Sequence, residues 1–265
     1  MNGNEKLQVT LDGGVKRITF NNPTRRNAID FQMFEAFARA VEESATDASR
    51  VVVITGAGEA FCSGLDLGSI SPAELAAMDV AANVRELINP PVRRMRELGK
   101  PFISRVAGPA AGIGFSYVLA SDYVVASEDA TFSQSFVRVG LMPDGGATHL
   151  LSALVGRAKA FELMATGATL TAQDALRLGV VGRVVPREGL DAAVEEVAAR
   201  LAAAPQPSLA HIKAALNLAE QGGGLDAALD YEARGQAECF ASADFVEGVT
   251  AFMQKRAPQF GKGRG

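Results

Sequence analysis

Apolar and polar positions alternate at the start of the chain, so residues 7–10 and 15–20 read as two strands. Between them Asp12-Gly13-Gly14 offers the left-handed residues a tight hairpin needs. The period then lengthens. Phe31, Phe34, Phe37, Ala38 and Val41 fall on one face of a helix, with Asp30 as its N-cap. Val51-Val52-Val53-Ile54-Thr55 is a continuous apolar run, the pattern of a strand buried on both faces. Residues 102–107 and 123–126 repeat it. Helical spacing fills the intervals at residues 73–88, where Pro90-Pro91 predicts a stop, and at residues 112–120.

From Gly146 onward the pattern is nearly all helical. Thr171-Ala172-Gln173-Asp174 is a capping box of the Ser/Thr-x-x-Asp/Glu form, opening a short helix that stops at Gly179. One more strand, residues 180–185, precedes alanine-rich helices at residues 190–203, 208–220, 225–238 and 244–255. Strand–helix alternation followed by helices alone predicts an α/β core over residues 1–200 and a helical region over residues 201–265. Residues 260–265 are expected to fray.

Composition narrows the function more than the fold. The 265 residues are 48% hydrophobic, which excludes a disordered chain. Lys and Arg number 26 against 30 Asp and Glu, a net charge of −4 that leaves no basic face for nucleic acid. The longest stretch free of these charges, residues 106–121, is shorter than the ~20 residues of a membrane span and is broken by Gly108, Pro109, Gly112 and Gly114. Residues 1–20 contain no secretory apolar segment. Cys62 and Cys239 match neither a disulfide framework nor zinc-ligand spacing. The class expected is a soluble cytoplasmic enzyme with no metal and no nucleic-acid or membrane partner.

Two common chemistries fit poorly. Gly56-Ala57-Gly58 follows a strand, but Phe61 stands where a dinucleotide fingerprint needs its third glycine, and no clean helix opens there. No Gly-x-Ser-x-Gly elbow exists, and His149 and His211 read as a helix residue and a surface residue. Two glycine-bearing turns say more. Residues 60–67 follow one buried strand, and residues 106–114 join another to a helix. Each is either a plain tight connection or a set of free N–H groups, the second with a helix N-terminus behind it. Two converging amides would form an oxyanion hole for a carbonyl oxygen becoming an enolate.

With these turns in this order, the chain resembles the enoyl-CoA hydratase/isomerase (crotonase) superfamily over nearly its whole length. Asn22-Pro23-Thr24-Arg25-Arg26-Asn27-Ala28 resembles that family's first CoA-contacting segment, and residues 60–67 its first oxyanion turn. Residues 108–122 resemble the second turn and its helix, and Leu141-Met142-Pro143-Asp144-Gly145-Gly146 continues the match. So do Gly167, residues 171–181, and residues 252–260 near the C-terminus. The resemblance implies an α/β spiral of ββα units with a helical C-terminal trimerisation region, as a homotrimer or a hexamer built from two trimers. It implies acyl-CoA thioesters as substrates and no separate cofactor. By position, the N–H groups of Leu65 and Ile113, beside Gly64, Gly112 and Gly114, would hold the thioester oxygen. Backbone around Ala28, Ala60, Ser63 and Asp66 would meet adenine and ribose. Arg25 or Arg26, with Phe252 and Lys255 from this or a neighbouring subunit, would lie near the CoA phosphates, where cations belong.

The family's hydratases use two glutamates to activate one water, and the matching positions here are Ser116 and Phe136. Neither side chain is a base near neutrality. Asp144 remains, at the place of the single catalytic carboxylate of Δ3,Δ2-enoyl-CoA isomerases and 1,2-epoxyphenylacetyl-CoA isomerases. One carboxylate suffices to carry a proton from C2 to C4, and Phe115, Phe136 and Met142 are expected to desolvate it. The expected activity is therefore double-bond isomerisation, in fatty-acid or phenylacetate metabolism. Hydration, an Asp144 nucleophile of the dehalogenase type, and a non-catalytic acyl-CoA-binding role are the alternatives. A plain helix-capping role for Asp144 is a further one.

Overall fold

A computed structural model describes residues 6–261. In chain order the strands are β1 (Leu7–Asp12), β2 (Val15–Phe20), β3 (Val51–Gly56), β4 (Phe102–Val106) and β5 (Pro109–Ala111). They continue with β6 (Tyr123–Ser127), β7 (Thr131–Ser133), β8 (Thr169–Thr171) and β9 (Arg183–Val185). The first helices are α1 (Phe31–Glu43), α2 (Pro72–Ala77), α3 (Val80–Asn83), α4 (Asn89–Glu97), α5 (Ile113–Ala120) and α6 (Ala147–Val155). Then come α7 (Arg157–Thr166), α8 (Ala172–Arg177), α9 (Leu190–Ala202), α10 (Gln206–Glu220), α11 (Gly224–Phe240) and α12 (Ala243–Met253).

Six strands make one sheet in the order β1-β2-β3-β4-β6-β9. Only the β1–β2 hairpin is antiparallel, closed by Gly13 and Gly14 at φ 54° and 79°. The remaining pairs are parallel, as strand–helix–strand crossovers require. Both faces are covered. Val51, Val53, Ile103 and Val125 meet Leu190, Ala193, Val194 and Ala198 of α9. Val52, Ile54, Phe102, Val106 and Val124 belong to the larger core with α1 and α5. That two-sided burial explains the unbroken apolar run at β3. A small second sheet, β5-β7-β8, lies beside α5.

Helix starts follow their side chains. The Asp30 carboxylate accepts the Met33 N–H at 2.9 Å, and Thr171 caps α8 by accepting from Asp174. Three expectations need correction. Pro90-Pro91 do not end a helix but sit in the first turn of α4, where no intrahelical N–H is required. Residues 73–88 are two short helices and a π-turn, broken because Asp79 starts a new helix by accepting the Ala82 N–H at 2.9 Å. Of residues 180–185 only Arg183–Val185 is strand, because the Val180 and Val181 amides close the end of α8 onto Ala175 O. Gly261 is held by its N–H to Asp244 at 2.9 Å; residues 262–265 of the expected frayed end lie outside the described residues.

The C-terminal helices are fixed to the core through a buried pair. Lys213 Nζ lies 2.7 Å from Asp122 Oδ2 and also donates to the carbonyls of Met95 and Lys100. Burial pushes the Asp122 carboxyl up and the Lys213 ammonium down, and their mutual attraction opposes both shifts. The same helices expose Leu216, Leu225, Phe240, Val246, Phe252 and Met253. No helix among the described residues is long and apolar enough to cross a membrane.

Candidate active site

The two glycine-bearing turns meet. The Phe61 N–H reaches Pro109 O at 3.0 Å, and the Ala111 N–H returns to Cys62 O at 2.9 Å. Gly64 has φ 101°, and a Cβ there would lie 3.2 Å from Ala111 O and 3.9 Å from Gly112 Cα. Gly112 has φ 56° and ψ −129°, a conformation closed to residues with a side chain. Ile113 carries the first N–H of α5, which like that of any helix has no intrahelical acceptor, and it finds no other acceptor among the described residues. On the facing turn the Gly64 and Asp66 amides are taken, by Cys62 Sγ and Ile29 O. Leu65, between them, has no acceptor among the described residues. Two free amides on touching turns, one at a helix N-terminus, can polarise a carbonyl oxygen.

Gly114 brings α5 against the first turn, since a Cβ there would lie 2.5 Å from Cys62 O. Cys62 is buried, and burial pushes its thiol up to about 12, so it stays neutral. Asn27 fixes the approach from below. Fully buried at φ 56°, it donates to Ala57 O and Ala60 O at 2.9 and 2.7 Å. The only sequence cue for that role is an Asn suited to the left-handed region.

Asp144 sits on the loop before α6, on Asp144–Gly145 packed against the first turn of α5. A Cβ on Gly145 would lie 2.4 Å from Ile113 Cδ1 and 3.0 Å from Ser116 Cβ. Burial raises the Asp144 carboxyl to about 6, and Oδ1 has no hydrogen-bond partner among the described residues. It is not a cap: α6 begins at Ala147, Gly146 is its N-cap residue, and no side chain makes a capping bond there. The expected desolvating neighbours are partly replaced. Met142 is 73% exposed, and Phe115 is buried against the Phe132 ring at 5.4 Å. Ile113 and Ser116 pack there instead. Phe136 lies at the second turn, 3.9 Å from the Gly112 Cβ position.

The remaining candidates form a rim. Arg25 Nη2 pairs with Asp66 Oδ1 at 2.5 Å, and that hydrogen bond holds the Asp66 carboxyl below its ordinary value. Ser63 donates its N–H to Arg26 O at 3.0 Å and its hydroxyl to Arg25 O at 3.2 Å. Ala28 and Ala60 are buried beneath them. No hydrogen bond or ion pair joins Phe252 or Lys255 to either turn, and Phe252 is 85% exposed, so one chain does not gather them with the rest. His211 is not a plain surface residue, since its ring bridges Tyr231 and Glu238 on α11. Among the described residues no cluster of His, Cys, Asp and Glu could hold a metal ion.

The enoyl-CoA hydratase/isomerase family model matches residues 10–263. The 1,2-epoxyphenylacetyl-CoA isomerase of Escherichia coli K12 is 39% identical, covering 94% of this chain and 96% of its own. The 2,3-dehydroadipyl-CoA hydratase of the same organism is 34% identical, covering 98% and 99%. A crystal structure of an enoyl-CoA hydratase from Polaromonas sp. JS666 superposes with a TM-score of 0.90 at 34% identity, covering 96% and 99%.

Proposed function

This chain belongs to the enoyl-CoA hydratase/isomerase family, and we propose that within it the protein moves the double bond of an enoyl-CoA. The thioester oxygen takes hydrogen bonds from the Leu65 and Ile113 amides. The Asp144 carboxylate removes a proton from C2, the electron pair spreads into a dienolate held by those amides, and the same proton returns at C4. The proton count balances with one acid. A single observation carries this reading: one desolvated carboxylate, with an unpartnered oxygen, is packed on the helix turn that supplies an oxyanion donor. Ser116 and Phe136 argue against hydration, which needs two acids around one water.

The rim built by Arg25, Arg26, Ala28, Ala60, Ser63 and Asp66 is assigned to the CoA moiety. Phe252 and Lys255 would then serve a site in a neighbouring copy. The apolar side chains exposed on α10, α11 and α12 support such a trimer, or a dimer of trimers.

A 3-enoyl-CoA and a 2-enoyl-CoA offered separately distinguish the readings. Isomerisation of the first should outrun hydration of the second. The opposite order overturns the proposal, and binding without turnover of either favours the non-catalytic alternative.

The pH profile gives a second check. The base form is required, and burial raises Asp144 from 3.8 to about 6. In the free enzyme kcat/KM should therefore fall about tenfold per pH unit below that value. A limb near 4 would exclude a desolvated Asp144 as the base. For stability the sign is reversed. The raised pKa favours the protonated fold, a contribution present below 3.8 and lost as pH rises through about 6.

A further inference from the structure

We propose that Ser116 is a positioning residue that ties the main chain of Asp144 to the peptide bearing the Ile113 N–H, fixing the distance between proton carrier and oxyanion hole. The inference rests on the reading of Asp144 as that carrier.

Ser116 is wholly buried, three residues into α5. Its hydroxyl lies 2.9 Å from Asp144 O and 3.4 Å from Gly112 O. One hydroxyl proton serves one strong bond, and the shorter contact takes it. Gly112 O already accepts the Ser116 N–H at 3.1 Å. That carbonyl and the Ile113 N–H belong to one planar peptide unit. A single residue thus grips the oxyanion peptide through its amide and the Asp144 backbone through its hydroxyl.

The grip matters because the carboxylate has little else to aim it. Among the described residues Asp144 Oδ1 has no hydrogen-bond partner, and the influence opposing burial comes from the amide of its own residue. The direction of the side chain is therefore set by its backbone. That backbone is held from two helices, by Ser116 on α5 and by the Ala147 N–H of α6 at 3.2 Å. The left-handed Gly145, at φ 59°, lets the segment lie flush on Ile113 and Ser116. The position that carries an acid in the hydratases here carries a short donor pointed at another residue's carbonyl.

Packing alone makes a different forecast. Alanine is the better helix former, so a purely structural Ser116→Ala change would be close to neutral. The test compares Ser116→Ala, Ser116→Cys and Ser116→Thr by kcat, KM for a 3-enoyl-CoA, pH profile and thermal midpoint. Ala, and Cys with its similar volume and weak donor, should lower kcat by about 10–100-fold, the scale of a misplaced reacting group. KM should change by about twofold or less, because ground-state contacts to the thioester remain. Thr keeps the hydroxyl and should recover most of the loss. In the Ala variant the acid limb should move to lower pH as the loosened carboxyl gains water.

Full kcat in Ser116→Ala overturns the inference. So does a Thr variant as impaired as Ala, with both losing thermal stability in parallel, because that marks packing. An Asp144→Asn enzyme with full activity overturns the functional reading and this inference together. Loss in Asp144→Asn with no loss in Ser116→Ala overturns this inference alone.

Discussion

Asp144→Asn should lower kcat for a 3-enoyl-CoA by about 10²–10⁴-fold, the range supplied by a positioned acid–base group. Asparagine keeps the shape of the side chain and its place on Ile113 and Ser116, but its amide cannot take a proton from carbon. The amides of Leu65 and Ile113 are untouched, so thioester binding should persist and KM should move little. The fold should not suffer. At pH 8 the wild-type carboxyl is ionised although burial disfavours that form, so the neutral variant should melt at the same temperature or higher. Steady-state kinetics and a melting curve on one preparation separate the two effects. A variant that keeps the full rate would remove Asp144 from the chemistry.

The second large effect is expected at Gly114. Its Cβ would stand 2.5 Å from Cys62 O, 2.7 Å from Cys62 Cβ and 2.8 Å from Cys62 Sγ. The first of these is backbone, which cannot swing aside, so Gly114→Ala must push α5 off the first turn. The Leu65 and Ile113 amides then separate, and loss of one oxyanion donor is worth about 10²–10³ in kcat. Overpacking adds about 1–3 kcal/mol of destabilisation. Gly189→Ala is the matched control, because nothing lies within 4 Å of its Cβ position. Kinetics and denaturant unfolding read both quantities. If Gly114→Ala matches the control, the turns are not held at contact distance.

Much of this site is legible in the chain because its parts are local. The buried runs at β3 and β4 name the strands, and the glycines that follow them mark the turns. Their distance-spanning partners are not legible. The Arg25–Asp66 pair joins residues 41 apart, and nothing in either neighbourhood marks it. Asn27 serves two carbonyls about thirty positions away through a side chain that looks like any turn residue. The strands β5, β7 and β8 have three residues each, too few for a period of two to register. Pro90 and Pro91 carry the same signature whether they end one helix or begin another. Phe252 and Lys255 belong to a segment that resembles the family's C-terminal signature, yet within one chain neither is bonded to the rim.

The contact between Gly64 and Gly112 has a consequence for how the protein meets its ligand. Each turn is braced by the other and by main-chain bonds through Cys62, so under the proposed function the receptor for the thioester oxygen is set by the folded main chain. The entropy of ordering those amides is lost when the polypeptide folds rather than at every encounter, and preorganisation of this kind leaves the dipoles already aimed as charge develops.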